Sequence, residues 1–106
     1  MYNIDVSINA ERDIMEAINY IDEELQDRTA AENLLDEVEK AIYSLTDMPK
    51  RYPLANDDIL AGWGIRVFPI NNYLVFYIVR EQTKTVVIER FLYKRRDWSS
   101  ILKIGK

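Results

Sequence analysis

Trp63-Gly-Ile-Arg-Val-Phe-Pro-Ile70, Asn71-Asn72, Tyr73-Leu-Val-Phe-Tyr-Ile-Val79, Arg80-Glu-Gln-Thr-Lys84 and Thr85-Val-Val-Ile-Glu-Arg-Phe-Leu-Tyr93 follow one another almost without interruption, and their reading decides the fold. β-Branched and aromatic residues fill the three longer segments, as side chains that suit a pleated surface do. The joints between them carry turn chemistry. Asn71-Asn72 tolerates the positive φ of a tight turn, and 80–84 is polar. The stretch therefore predicts three consecutive antiparallel strands, a meander. Tyr73 to Val79 is almost wholly apolar, so it is expected at the centre of the sheet, covered on both faces.

Working outward toward the N-terminus, Tyr2-Asn-Ile-Asp-Val-Ser-Ile8 alternates, with Ile4, Val6 and Ile8 on one side, and reads as a half-buried strand. Asn9 is then placed to cap a helix whose apolar positions Ile14, Ala17, Ile18, Ile21 and Leu25 recur at spacings of three and four. Thr29-Ala-Ala-Glu32 has the form of a capping box and marks a fresh start. The helix it opens carries a stripe of Leu34, Leu35, Val38, Ala41, Ile42, Leu45 and Met48, and Pro49 ends it. Residues 49–61 show no period and read as a loop. After the meander, Asp97 is placed to cap a short helix over Trp98 to Leu102. The expected order is β-α-α-β-β-β-α, an α+β fold with an antiparallel meander and a two-helix hairpin on one face.

The chain has 106 residues, 48% of them hydrophobic, which is enough for a single domain over 1–106 and too little for two. It contains no cysteine and no histidine, which removes disulfides, thiolate chemistry and the commonest general base and metal ligand. The longest apolar run is far shorter than the roughly 20 residues that cross a bilayer. With no targeting signal before the first strand, a cytoplasmic protein with no membrane partner is expected. The net charge is −4, but residues 1–48 hold thirteen acids against three bases and residues 49–106 hold five acids against eleven bases. Such a division creates a local field that can attract an anionic partner despite the negative total.

The bases of the second half supply the candidate site. Arg66 and Arg90 lie within strands, Lys50 and Arg51 on the loop before them, and Lys94, Arg95 and Arg96 where the last strand runs out, with Tyr93 and Trp98 alongside. Arginine presents a planar fork of donors that suits phosphate. Their expected convergence would make one cationic pocket. The competing reading gives Arg66 a surface strand position or an ion pair with Glu89, and makes the tyrosines core residues with tethered hydroxyls. No phosphate-cradling glycine loop, no catalytic triad and no metal-ligand pattern occurs, so no cofactor and no metal are expected.

Taken together, Ala41-Ile-Tyr-Ser-Leu-Thr-Asp-Met-Pro49, Gly64-Ile-Arg66, Asn72-Tyr-Leu-Val-Phe-Tyr77 and Val87-Ile-Glu-Arg-Phe-Leu-Tyr-Lys-Arg-Arg-Asp-Trp98 resemble the RelE/ParE toxins of type II toxin–antitoxin (plasmid stabilisation) systems. The resemblance runs through nearly the whole chain. It implies a bacterial toxin that inhibits growth unless wrapped by a cognate antitoxin. One branch of that family cuts messenger RNA in the ribosome, and the other poisons DNA gyrase. In the first branch the resemblance makes Arg66 and Arg95 the catalytic candidates and places bases on the loop that here carries Lys50 and Arg51; these two, with Arg90, Tyr93, Lys94 and Arg96 of the basic region, are the residues expected to bind target or phosphate. This chain has neither Tyr nor His near Ile101, where that branch places an assisting aromatic, so general-base capacity is depleted. The long helix hairpin and acidic total favour gyrase as the target. The alternatives are a ribosome-dependent endoribonuclease and a degenerate member that only binds antitoxin.

Overall fold

A computed structural model describes residues 1–104. The three predicted strands form as β2 (Arg66–Ile70), β3 (Tyr73–Arg80) and β4 (Thr85–Tyr93), each antiparallel to the next. Asn71 takes φ 53° in the first turn and Lys84 takes φ 52° in the second. The N-terminal strand, β1 (Asn3–Val6), lies parallel to β4, so the sheet order is β1-β4-β3-β2. The sheet is thus mixed, which corrects the purely antiparallel expectation. A strand's period reports the face it buries but not the edge it joins, and the helices after β1 provide the crossover that a parallel pair requires. Between Phe76 and Tyr77 the register slips, with Phe76 opposite Arg90 and Tyr77 opposite Ile88, so Glu89 is the extra residue of a β-bulge.

Both long helices start two residues earlier than expected, each from a different polar cap, and both leave α geometry several residues before their apolar stripes end. Ser7, not Asn9, caps α1 (Ile8–Asn19): its hydroxyl accepts from the Ala10 N–H at 3.0 Å and donates to the Glu89 carbonyl at 2.9 Å. The helix then widens into a π turn over Tyr20–Glu24, closed by the Leu25 N–H on the Tyr20 carbonyl at 3.2 Å. Asp27, not Thr29, caps α2 (Arg28–Tyr43) through the Ala30 N–H at 3.0 Å. This second helix ends before Met48. A 3-10 turn follows at Ser44–Thr46, Met48 enters the left-handed region at φ 48° and is 76% exposed, and the apolar stripe stops at the buried Leu45. The expected loop contains a 3-10 turn, Pro49–Arg51, and a short helix, α3 (Asp58–Gly62). The chain's last described element is α4 (Trp98–Ile104).

Two apolar layers result. On one face, Ala10, Ile14 and Ala17 of α1 with Leu34, Val38 and Ile42 of α2 pack against Phe68, Val75, Tyr77, Val86, Ile88 and Phe91. On the other, Leu60 of α3 and Leu102 of α4 join Ile65, Phe76 and Leu92, with Trp98 tilted on Phe76 at 5.4 Å between ring centroids. Each fully buried side chain of this kind contributes roughly 1.5–3 kcal/mol. β3 is therefore covered on both faces, as its run of apolar residues predicts. Asp57 ties the second layer together. Its carboxylate caps α3 through the Ile59 and Leu60 N–H groups and accepts from Ser99 Oγ at 2.7 Å and Lys103 Nζ at 2.9 Å on α4.

Candidate functional site

The cationic residues divide between two ends of the sheet. At one end, buried Tyr77 donates its hydroxyl to the Pro49 carbonyl at 2.6 Å, and Arg66 opposite it donates through Nη1 to the Tyr52 and Lys50 carbonyls at 2.7 and 3.2 Å. Arg51 folds back over the preceding turn, donating from Nη1 to the Asp47 carbonyl at 2.8 Å and the Ser44 carbonyl at 3.1 Å, with its guanidinium 4.9 Å from the Tyr52 ring centre. Tyr52 in turn stacks on Phe68 at 4.4 Å. Lys50 pairs with Glu81 at 2.7 Å, and Tyr2 donates to the same carboxylate at 2.9 Å. Burial pushes the Tyr77 phenol above its ordinary range, with the charges of Arg66 and Arg51 acting the other way. The competing reading of the tyrosines thus holds for Tyr77, a core residue with a tethered hydroxyl. Chemically, this end is a backbone clamp: carbonyls left open after α2 and around the 3-10 turns are satisfied by guanidinium and phenol donors.

Arg90 is committed elsewhere. Its Nε and Nη2 donate to Asp13 on α1 at 2.6 and 2.9 Å, while the other demand on that carboxylate is the Phe91 N–H at 3.0 Å. Where β1 stops at Val6, the Ser7 N–H bonds the Ile88 carbonyl, and Ser7 and Asp13 go on to occupy the edge of β4. The side chains of α1 thereby finish a ladder that the strand leaves incomplete. Asp13 also holds the Arg90 guanidinium above its already high range.

The far end of β4 is different. The Lys94 N–H bonds the Asn72 carbonyl at 2.8 Å and the Arg96 N–H bonds the Tyr93 carbonyl at 3.0 Å, which fixes the backbone of this basic turn. The side chains of Lys94, Arg95 and Arg96 are exposed and have no ion-pair partner among the described residues. Beside them opens a cleft of about 1060 Å³, floored by Ile21, Leu25, Ala30 and Leu34 and walled by Tyr20, Tyr73, Tyr93 and the Asn71-Asn72 turn. Tyr73 stacks on Phe91 at 4.8 Å and meets Tyr93 edge-on at 5.7 Å. Its phenol is raised by burial first and then by the neighbouring Tyr93 and Tyr20.

The single cationic pocket expected from the sequence is not formed. Arg66 stands opposite Tyr77 within β3, whereas Lys94 bonds Asn72 in the turn before it, five residues away or about 17 Å at the rise of an antiparallel strand. Lys50, Arg51 and Arg66 are brought together at one end, Lys94, Arg95 and Arg96 with Tyr93 at the other, and Arg90 is held by Asp13 between them. The sequence reading missed the cleft because its floor comes from the π turn and the start of α2, whose leucines read as ordinary stripe residues. The one signal was Leu25, which lies at the end of the first stripe and is 57% exposed. Among the described residues no group of three or more acidic, His or Cys side chains is arranged to hold a metal, and no helix is long and apolar enough to cross a membrane.

The family model for the ParE toxin of the type II toxin–antitoxin system, parDE, matches residues 4–98. Among solved structures, the chain is similar to one from the toxin–antitoxin complex RelBE2 of Mycobacterium tuberculosis. That match has a TM-score of 0.63 and 22% identity over 87% of this chain and 96% of the other, a likeness of fold. No curated protein matches.

Proposed function

The chain belongs to the ParE toxin family of type II toxin–antitoxin systems, and from that premise we propose that it arrests growth by engaging DNA gyrase through its basic β4 terminus, without cutting RNA, until its antitoxin covers it. The observation that carries this reading is the division of the cations. Arg66, one of the two catalytic candidates, spends Nη1 on the Lys50 and Tyr52 carbonyls, Lys50 is paired with Glu81, and Arg90 with Asp13. Arg66 and Arg90 thus have the geometry of structural donors, and Lys50 is engaged in a surface pair. Arg95, the second candidate, lies at the opposite end with Lys94 and Arg96, where the side chains are exposed and free to meet a partner. RNA cleavage asks for a group that takes the proton of the 2′-hydroxyl; the chain has no histidine, and its two catalytic candidates are guanidiniums, which stay protonated and make poor bases. Binding and holding a target requires only charge, shape and fixed backbone, all of which Tyr93 to Arg96 supply.

A test is expression of the toxin in a bacterial host with two readouts, primer extension on translated messages and DNA breaks that depend on gyrase. The proposal expects growth arrest with breaks and intact messages, relieved by the antitoxin encoded beside it. Arrest with cuts phased to codons would replace it by the ribosomal reading, and harmless expression would point to a member that binds antitoxin alone.

A further inference from the structure

We infer that the cleft between the π turn and the Asn71-Asn72 turn is the seat of an antitoxin segment that brings one bulky apolar side chain followed closely by carboxylates. The inference rests on the toxin–antitoxin reading above and goes beyond it by assigning the surface and the chemistry of its occupant.

Three features select that occupant. Ile21, Leu25, Ala30 and Leu34 make an apolar floor in an open cleft of about 1060 Å³, room for a short peptide segment. Leu25 and Tyr20 are 57% and 54% exposed, so the floor and one wall leave apolar area in water that an inserted side chain would remove. Lys94, Arg95 and Arg96 begin one residue after Tyr93 on the opposite wall and have no carboxylate partner among the described residues. A segment anchored on Leu25 can therefore place carboxylates against them. The walls suit a polypeptide as well: Tyr20, Tyr73 and Tyr93 bring phenolic donors, and Asn71 and Asn72 bring amides able to bond a main chain. A nucleic acid fits less well. The exposed Glu23 and Glu24 stand on the helix side, next to Leu25, and would repel its phosphates, while Asp22 is occupied by Arg28 at 3.3 Å.

The test uses the full-length toxin and the purified antitoxin from the adjacent gene. Leu25→Asp and Tyr20→Ala each change an exposed side chain of the cleft and leave the basic turn intact. The dissociation constant of each variant is measured by calorimetry, with far-ultraviolet circular dichroism confirming the fold. The expected result is a rise of tenfold or more for both variants, with toxicity retained but no longer relieved by the antitoxin. Affinities within twofold of the parent would overturn the inference and place the antitoxin on another surface. A single-stranded oligonucleotide that binds the parent and is lost on Leu25→Asp would overturn it in favour of nucleic acid. Failure of the antitoxin to bind the parent at all would instead strike down the toxin–antitoxin reading, and the inference with it.

Discussion

The Asp13 carboxylate grips the Arg90 guanidinium through two hydrogen bonds, 2.6 and 2.9 Å long, across 77 residues of sequence. It also accepts the Phe91 N–H, so one buried acid joins α1 to the sheet and completes the edge of β4. Removing one partner of a buried pair leaves the other charge uncompensated. Asp13→Ala is expected to cost about 3 kcal/mol, the lower end for such pairs because Arg90 keeps some contact with water. Urea denaturation of the variant measures it; a loss below about 1 kcal/mol would show that the pair is dispensable.

Tyr77 makes a smaller but cleaner case. Tyr77→Phe keeps the ring in the core and removes only the donor to the Pro49 carbonyl, which then lies buried without that bond. The expected loss is about 1–3 kcal/mol in the same denaturation experiment. Because the bond anchors the 3-10 turn, hydrogen exchange should speed up at Arg51, whose N–H bonds the Met48 carbonyl.

Asp57 predicts a pH dependence. The bond from Lys103, then those from Ser99 and the Leu60 N–H, hold its carboxyl well below the ordinary value of 3.8. A carboxylate depressed in the folded state stabilises fully above its unfolded pKa, and that contribution is lost as pH falls from there toward the folded value. The stability difference between the parent and Asp57→Asn should therefore be constant above about pH 5 and shrink below about pH 4. Thermal melts across pH 2–7 give the answer, and a difference that widens on acidification would refute the assignment.

Arg66 separates structure from function. If its guanidinium serves the Lys50 and Tyr52 carbonyls, Arg66→Ala should lower stability by about 1–3 kcal/mol, and toxicity should fall only as far as the folded population does. Growth arrest abolished in a variant that melts like the parent would return Arg66 to a direct role.

How far the sequence could be read follows from which interactions are local. Strand alternation and turn residues are local, so β2, β3 and β4 and the Asn71 turn are visible in residues 63–93. The caps are half-local: Ser7 wins over Asn9 because its hydroxyl also reaches Glu89, which no window around residue 7 contains. α3 escapes notice because five residues hold barely one turn, too few to show a period, although Asp57 was available as its cap. The dispersal of the arginines is wholly non-local. Arg66, Arg90 and Arg95 look alike in sequence, and only the positions of Tyr52, Asp13 and Asn72 in space separate two structural donors from one exposed cation.

The central claim is that the exposed cations at the end of β4 act on gyrase, and the most direct measurement is DNA supercoiling by purified gyrase titrated with the toxin. The parent protein should inhibit the reaction, whereas Arg95→Glu combined with Arg96→Glu should fail to do so while melting at the parent's temperature. Unimpaired supercoiling at every toxin concentration, together with codon-phased cleavage of translated messages that disappears on Arg66→Ala, would contradict the account.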